Sequence, residues 1–430
     1  APAGPKVAFE QFRKVTEVKI SEKRAEEIAS LRKLIELGGG DEADMPQWYF
    51  RLAELRWEES QYYFFESNRR DDQLIALGTR GDPREIDRLM AEKKELEAQT
   101  QKLQVQAVAL YKAIISKYPS YPRLDEVLYF LAENLTRRNR NDPEALKAYR
   151  ALITKFPNSR YVPDCWMAFG EYYFERSSTA DRVGNLKKAL EAYQKAATYQ
   201  ESNVYGYALY KMAWVLYNLQ DHEGALQKFF EVIEYARQHP DSPSVTPLLR
   251  NARMELVTVY GSVYGNAQRP LNTNNALNTF RRYAADEANA FEMFEKLAEL
   301  YHDAGQWPNS IASYHALMEA RSTDDKFCFW QAQVARGVVA SRPKPEQMTE
   351  VNRLVDVYNT YRSSQRSQEI KVVCRNHAAR VLFDVASHWH LEAVGRSAEG
   401  QQQTRGTRSP ETMRMVAELY QKIIEEFPEF

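Results

Sequence analysis

Two histidines, His388 and His390, flank Trp389, and three cysteines, Cys165, Cys328 and Cys374, are scattered along the chain. These are the residue types that ligate metals or attack electrophiles. Their spacing organises them for neither task. Residues two apart on a helix lie on different faces, so the histidine pair does not close on one ion, and no metal ligand set is assigned. Each cysteine stands alone in an apolar or aromatic helical stretch, which reads as a small buried hydrophobe, with neither a metal knuckle nor a disulfide framework suggested. Arg80-Gly81-Asp82 spells an adhesion tripeptide, but it follows Gly78 and reads as turn chemistry. The sequence holds no phosphate loop, G-x-S-x-G elbow, H-E-x-x-H helix, CxxC pair or dinucleotide glycine fingerprint. The chain is expected to be non-catalytic and to need no cofactor.

What positions side chains in this chain must therefore be sought in its scaffold. Its 430 residues are 44% hydrophobic and 27% charged, with 17 Gly and 18 Pro, a composition that suits a helix-rich globular protein and excludes the disordered and fibrous classes. The formal net charge is −1 and basic residues are interleaved with acidic ones, so no single-sign stripe is present to hold nucleic acid or an anionic bilayer. No run approaches the ~18 apolar residues of a membrane span, and no intact signal peptide opens the chain. The first residues, Ala1-Pro2-Ala3-Gly4-Pro5, fit a stub left by signal cleavage, a linker or an expression scar.

The organisation lies in self-similarity. Ala107, Tyr111, Ile114 and Pro119 recur with the same intervals as Ala145, Tyr149, Leu152 and Pro157, and Val416, Tyr420, Ile423 and Pro428 repeat them without the small first residue. Ala189, Tyr193 and Ala196, then Ala225, Phe229 and Val232, keep the core without the proline. Positions four and seven apart share a helical face, so the small residue admits a neighbouring helix and the aromatic fills the space beside it. The proline then ends the helix, because it cannot donate to the preceding turn and pushes its predecessor out of helical geometry. A matching pattern precedes each of these helices: Trp166, Phe169, Gly170 and Tyr173; Leu128, Leu131, Ala132 and Leu135; Leu209, Met212 and Ala213; Phe294, Leu297, Ala298 and Tyr301, with Tyr314 on the helix after.

Paired helices with these residues at these positions resemble the tetratricopeptide repeat, whose period is about 34 residues. The resemblance implies an all-α fold, a right-handed superhelical solenoid of antiparallel helix pairs. The first unit opens at Trp48, Tyr49, Leu52 and Ala53, and reaches Ala107 only after an insertion at about 58–106 in which Leu89, Leu96, Leu103 and Leu110 recur every seven residues. That seam predicts an extended helical hairpin packed on its own partner around Tyr62 to Phe65. Residues 1–40 are expected to form two short capping helices, Phe9 to Leu37, and a spacer, Gly38-Gly39-Gly40. Residues 41–240 carry the regular array, and 241–430 a degenerate one that is expected to continue beyond the last residue. Pro343 with Pro345, Asn272 to Asn275, and Gly395 to Pro410 read as connections.

In such an array the first helices line a concave wall, which here predicts Phe50, Trp57, Tyr129, Met167, Glu171, Phe174, Tyr207, Tyr210, Trp214 and Tyr217 as partner-binding positions. Glu54, Glu133, Glu295 and Glu299 add acidic flanks. The alternative for each aromatic is packing against the next repeat. Tetratricopeptide cochaperones that grip a C-terminal carboxylate use Lys and Asn on this wall, and the aromatic and acidic residues here disfavour that ligand. A basic or aliphatic helix or extended segment of another protein fits the wall better. Phe50-Arg51-Leu52-Ala53-Glu54-Leu55 and the unit from Tyr210 to Phe229 are similar to repeats of bacterial cell-envelope proteins: outer-membrane assembly lipoproteins, the Tol-Pal coordination factor and the tetratricopeptide component of myxobacterial gliding machinery. The resemblance implies a periplasmic or outer-membrane-associated scaffold. A docking region of a larger cytoplasmic assembly or enzyme, and a sugar-binding groove, are the alternatives. Oligomeric state is not legible.

Overall fold

The computed structural model describes residues 9–38, 43–78, 81–178, 181–241, 245–395 and 406–429, with side chains from residue 20 onward. Ala1 to Pro5, Gly39, Gly40, Arg80, residues 396–405 of the polar connection and Phe430 lie outside the described residues. The described residues are mostly helical, joined by turns and short connections, with no strand among them. The helices are α1 (Phe9–Leu37), α2 (Met45–Leu77), α3 (Pro83–Lys117), α4 (Leu124–Arg138), α5 (Pro143–Lys155), α6 (Val162–Glu175), α7 (Arg182–Ala196), α8 (Tyr205–Asn218), α9 (His222–Gln238), α10 (Val245–Val263), α11 (Thr273–Tyr283), α12 (Glu287–Asp303), α13 (Trp307–Ala320), α14 (Phe327–Ser341), α15 (Lys344–Ser363), α16 (Gln368–Val394) and α17 (Pro410–Glu426). Within each unit neighbouring helices pack in pairs, so the fold is all-α, an array of tetratricopeptide-like helix pairs. None of the described helices is long and apolar enough to cross a membrane.

The ends of the helices follow from local chemistry. Asp82, Asp142, Asp181, Asp221 and Asp286 each accept a bond from a backbone N–H of the first turn, as do Asn272, Ser367 and Ser409. These caps satisfy donors that an α-helix leaves open. Tyr118, Phe156 and Phe427 close α3, α5 and α17 with φ near −130°, each bonding back to the carbonyl four residues earlier and each followed by a proline. The repeated proline thus ends three helices in the same way.

The chain divides into two compact units, Ala1–Ala208 and Leu209–Phe430. In the first unit α1 is one helix, not two short ones, because no proline or glycine interrupts residues 9–37. It packs Ile28 against Leu52 and Leu55, and Glu27 meets Arg51 at 2.7 Å. Helices α2 and α3 form a long antiparallel hairpin, crossed by Arg70–Glu92 at 2.9 Å and Lys93–Asp71 at 2.7 Å. Leu89 and Leu103 of the seven-residue seam are buried, and Leu96 and Leu110 half-buried. The core continues through Ala53, Tyr111, Leu131, Ala132, Tyr149, Leu152 and Phe169.

The second unit buries Ala213, Ala225, Phe229, Ala298 and Tyr314 completely, and its last helices close around Leu354, Leu382, Trp389 and Leu419. Two expectations are corrected here. Cys328 of α14 and Cys374 of α16 form a disulfide, with Cα atoms 5.6 Å apart across 46 residues of sequence. Each had looked isolated because tertiary packing alone brings the two helices together. Cys165 remains the free thiol, fully buried, and burial pushes its pKa up. Asn272 to Asn275, expected as a connection, opens α11, since the Asn272 side chain accepts from the Asn275 N–H at 2.9 Å.

Candidate protein-binding site

Two neighbouring repeats of the first unit place a small residue against a buried tyrosine at their centre. In the third helix pair Gly170 of α6 faces Tyr193 of α7 so closely that a Cβ on Gly170 would come within 2.3 Å of the tyrosine ring. The absence of a side chain at 170 is therefore a packing requirement. Tyr193 is fully buried, and its hydroxyl donates to Oε1 of Glu171 at 2.7 Å. One repeat earlier, beside Ala132, the Tyr149 hydroxyl donates to Oε1 of Glu133 at 2.7 Å. Burial, then the adjacent carboxylate, raises the pKa of both tyrosines. The rings stay in the core while their hydroxyls hold two carboxylates at a fixed position on the surface.

Those carboxylates belong to one cleft of ≈ 390 Å³ in the first unit, between α4, α5, α6 and the start of α8. Tyr129 and Tyr207 stand among its walls, with Met167 at its base, 6% exposed. Tyr129 is held flat against Tyr161, ring centroids 4.3 Å apart, and Tyr207 is 43% exposed. Five carboxylates line the cleft, those of Glu133, Asp142, Asp164, Glu171 and Glu175. A single guanidinium, that of Arg140, lines it with them, and it is already bonded to Glu175 at 2.9 Å. Burial raises the pKa of Asp164, its own backbone N–H lowers it, and the nearby Glu133 raises it again. The cleft is thus a partly desolvated negative site with aromatic walls, a setting in which a cation gains more from Coulomb attraction than it would in bulk water.

Four of the ten predicted wall residues, Tyr129, Met167, Glu171 and Tyr207, meet in this cleft. The other six are placed differently. Phe50 is a core residue at 2% exposure, edge-on to Tyr111, with the Arg123 guanidinium over its face. Trp57 and Phe174 are half-buried on α2 and α6. In the second unit the Tyr210 hydroxyl and the Trp214 indole N–H both donate to Glu255, at 2.8 and 2.7 Å, so their polar tips are committed within the fold. Burial raises the Glu255 pKa, against those two bonds. Tyr217 stands edge-on to Trp214.

The predicted repeat-core residues Ala53, Ala107, Tyr111, Ala132, Ala145, Tyr149, Ala189, Tyr193, Ala213, Ala225, Phe229, Ala298 and Tyr314 are each at most 2% exposed, and Gly170 is buried. Trp166 and Tyr420 differ. Trp166 is half-buried under the Lys195 ammonium, 4.2 Å from its ring centroid. On α17 the buried face runs through Thr412, Val416 and Leu419, which leaves Tyr420 on its flank near His390. His388 and His390 are both exposed on either side of buried Trp389. Arg140, Asp142, Asp164 and Glu175 were missed by sequence reasoning. The only signal was Asp164's place in the first turn of a helix, and an acidic residue there usually serves the helix end alone.

Two stretches of the chain, residues 126–159 and 207–242, match the family model described as the tetratricopeptide repeat. The first of these spans α4 and α5, which contribute Tyr129, Glu133 and Tyr149 to the cleft. Among solved structures the chain is similar to a tetratricopeptide repeat protein from Parabacteroides merdae, at 17% identity over 66% of this chain and 96% of that one, with a TM-score of 0.32. It is similar to yeast Tom70 at 12% identity over 94% and 87% of the two chains, TM-score 0.31. A Rap protein complexed with competence and sporulation factor gives 14% identity over 95% and 98%, TM-score 0.27. No curated protein matches the chain.

Proposed function

We propose that this chain is a non-catalytic scaffold that holds a basic segment of a partner protein, helical or extended, in the acidic and aromatic cleft of its first unit. The observation that carries the reading is the charge balance of the cleft: five carboxylates line it against one guanidinium, Arg140, already paired with Glu175, while Arg137, outside the lining, reaches Glu133 at 3.7 Å. A lysine or arginine of the partner enters between Asp164 and Glu171 and lays its methylene stem along Tyr129 and Tyr207, combining charge attraction with aromatic contact. The matched repeats support the interaction class, and the cleft supports the chemistry of the partner.

For the compartment we propose the bacterial cell envelope, periplasmic or outer-membrane-associated, within a multiprotein assembly of which motility or gliding machinery is one candidate. The Cys328–Cys374 disulfide supports an oxidising compartment, since such bonds are rare in reducing cytosol.

A photo-crosslinking residue at Tyr207, with captured proteins identified by mass spectrometry, tests the partner reading together with titration of a lysine-rich peptide. Capture through lysine- or arginine-bearing segments, and peptide affinity that falls in Asp164→Asn, are expected. Equal affinity of Asp164→Asn and the parent chain, or for an acidic peptide, would sink it. Thiol trapping in the native cell tests the compartment: free Cys328 and Cys374 thiols there would remove its support.

A further inference from the structure

The first unit has a second cleft, and its charge is opposite. It encloses ≈ 330 Å³ among α5, α6 and α7, with Trp166, Phe169 and Tyr173 as its floor and Arg150, Lys188 and Lys195 as its rim. Because α6 and α7 run antiparallel, residues seven apart on each helix register as rungs. The Lys195 ammonium lies 4.2 Å from the Trp166 ring centroid and that of Lys188 5.6 Å from Tyr173. From α5 the Arg150 guanidinium lies 5.9 Å from the Phe169 ring.

These cations differ from others in the same unit. Lys112 meets Glu144 at 2.6 Å, Arg123 meets Glu126 at 2.6 Å, and Arg140 meets Glu175 at 2.9 Å. Arg150, Lys188 and Lys195, all exposed, have no carboxylate within ion-pair distance among the described residues, although Glu191 lies on the same rim. They are held over ring faces with their charge unneutralised, above apolar surface that stays partly open. Ring contact attracts a cation but does not neutralise it.

We infer that this cleft docks a short acidic segment of a partner protein, in which one aromatic or aliphatic side chain is flanked by aspartate or glutamate. The apolar side chain seats on Trp166 and Tyr173, and the flanking carboxylates reach Lys188, Lys195 and Arg150. Charge complementarity selects the occupant, and the volume fits one or two side chains. A nucleic-acid strand fits less well, because the three cations ring a pit and do not follow a track, and the Glu191 carboxylate would face the phosphates. The inference is independent of the acidic cleft. Helix α6 turns Asp164, Met167 and Glu171 to that cleft and Trp166, Phe169 and Tyr173 to this one.

The test is fluorescence anisotropy with a labelled peptide carrying one phenylalanine flanked on both sides by aspartates, against a lysine-flanked peptide and an oligo(dT) strand. The parent chain is expected to bind the acidic peptide in a salt-sensitive manner. Lys188→Glu with Lys195→Glu is expected to weaken that binding about tenfold or more, with the far-UV circular dichroism unchanged because both side chains are exposed. Trp166→Ala, which keeps the cations, is expected to weaken it as well. No binding by the parent chain, unchanged binding by the charge-reversed variant, or tighter binding of oligo(dT) than of the acidic peptide would overturn the inference.

Discussion

The Tyr193 hydroxyl donates to Glu171 at 2.7 Å, and the same bond joins Tyr149 to Glu133 one repeat earlier at 2.7 Å. In the next repeat, where Trp214 follows the small residue Ala213, the matching core aromatic is Phe229, and ring meets ring with centroids 6.1 Å apart. In these three repeats the hydroxyl is present where a carboxylate receives it and absent where Trp214 stands in the carboxylate's place, whereas the fully buried Tyr314 hydroxyl has no hydrogen-bond partner among the described residues. A buried donor left unpaired is costly, which is the physical reason for the match at Tyr149 and Tyr193. Tyr193→Phe is expected to cost about 1–2 kcal/mol in urea unfolding. It should also weaken a lysine-rich peptide, because Glu171 loses the bond that orients it. A Tyr193→Phe chain with parental stability and binding would contradict this account.

Gly170 sits at a close contact between α6 and α7. Gly170→Ala brings a methyl to within 2.3 Å of the ring of Tyr193, which is fully buried and bonded to Glu171. The expected loss is about 1–3 kcal/mol, with Gly170→Leu beyond it, measured as a fall in the denaturation midpoint. An unchanged midpoint would mean that α6 and α7 are not in this register.

The folded pKa of Asp164 lies above its ordinary value, chiefly through burial. A raised carboxylate favours the folded state when protonated, so this contribution is present below the unfolded pKa and lost as pH rises through the folded one. Asp164→Asn is therefore expected to raise Tm at neutral pH, and the gain should shrink as the pH is lowered through the carboxylate range. A gain that is independent of pH would exclude a charge origin.

The Cys328–Cys374 bond closes a loop of 46 residues inside the second unit. Restriction of the unfolded chain by a loop of that size is worth about 4 kcal/mol. Cys328→Ser with Cys374→Ser is expected to lower unfolding stability on that scale. In the unreduced, denatured parent chain, alkylation should modify Cys165 alone; modification of all three cysteines would show that the bond is absent.

The sequence by itself determined the helical repeat. Intervals of four and three residues put Ala145, Tyr149 and Leu152 on one face, aspartates cap helices, and Pro119, Pro157 and Pro428 follow three helix ends; all of these act within one or two turns of chain. Tertiary structure decided what covers each face. Phe50 and Trp166 changed places in this sense, the expected wall residue entering the core and the expected core residue flooring an open cleft. Glu255 lies 41 residues from the Trp214 indole it receives, and Cys328 lies 46 from its partner. The acidic cleft likewise draws Tyr129, Asp164 and Tyr207 from three different helices. Periodicity reports which residues share a side of their own helix, whereas burial and binding depend on the neighbouring helix, whose distance and register are set only when the whole array packs.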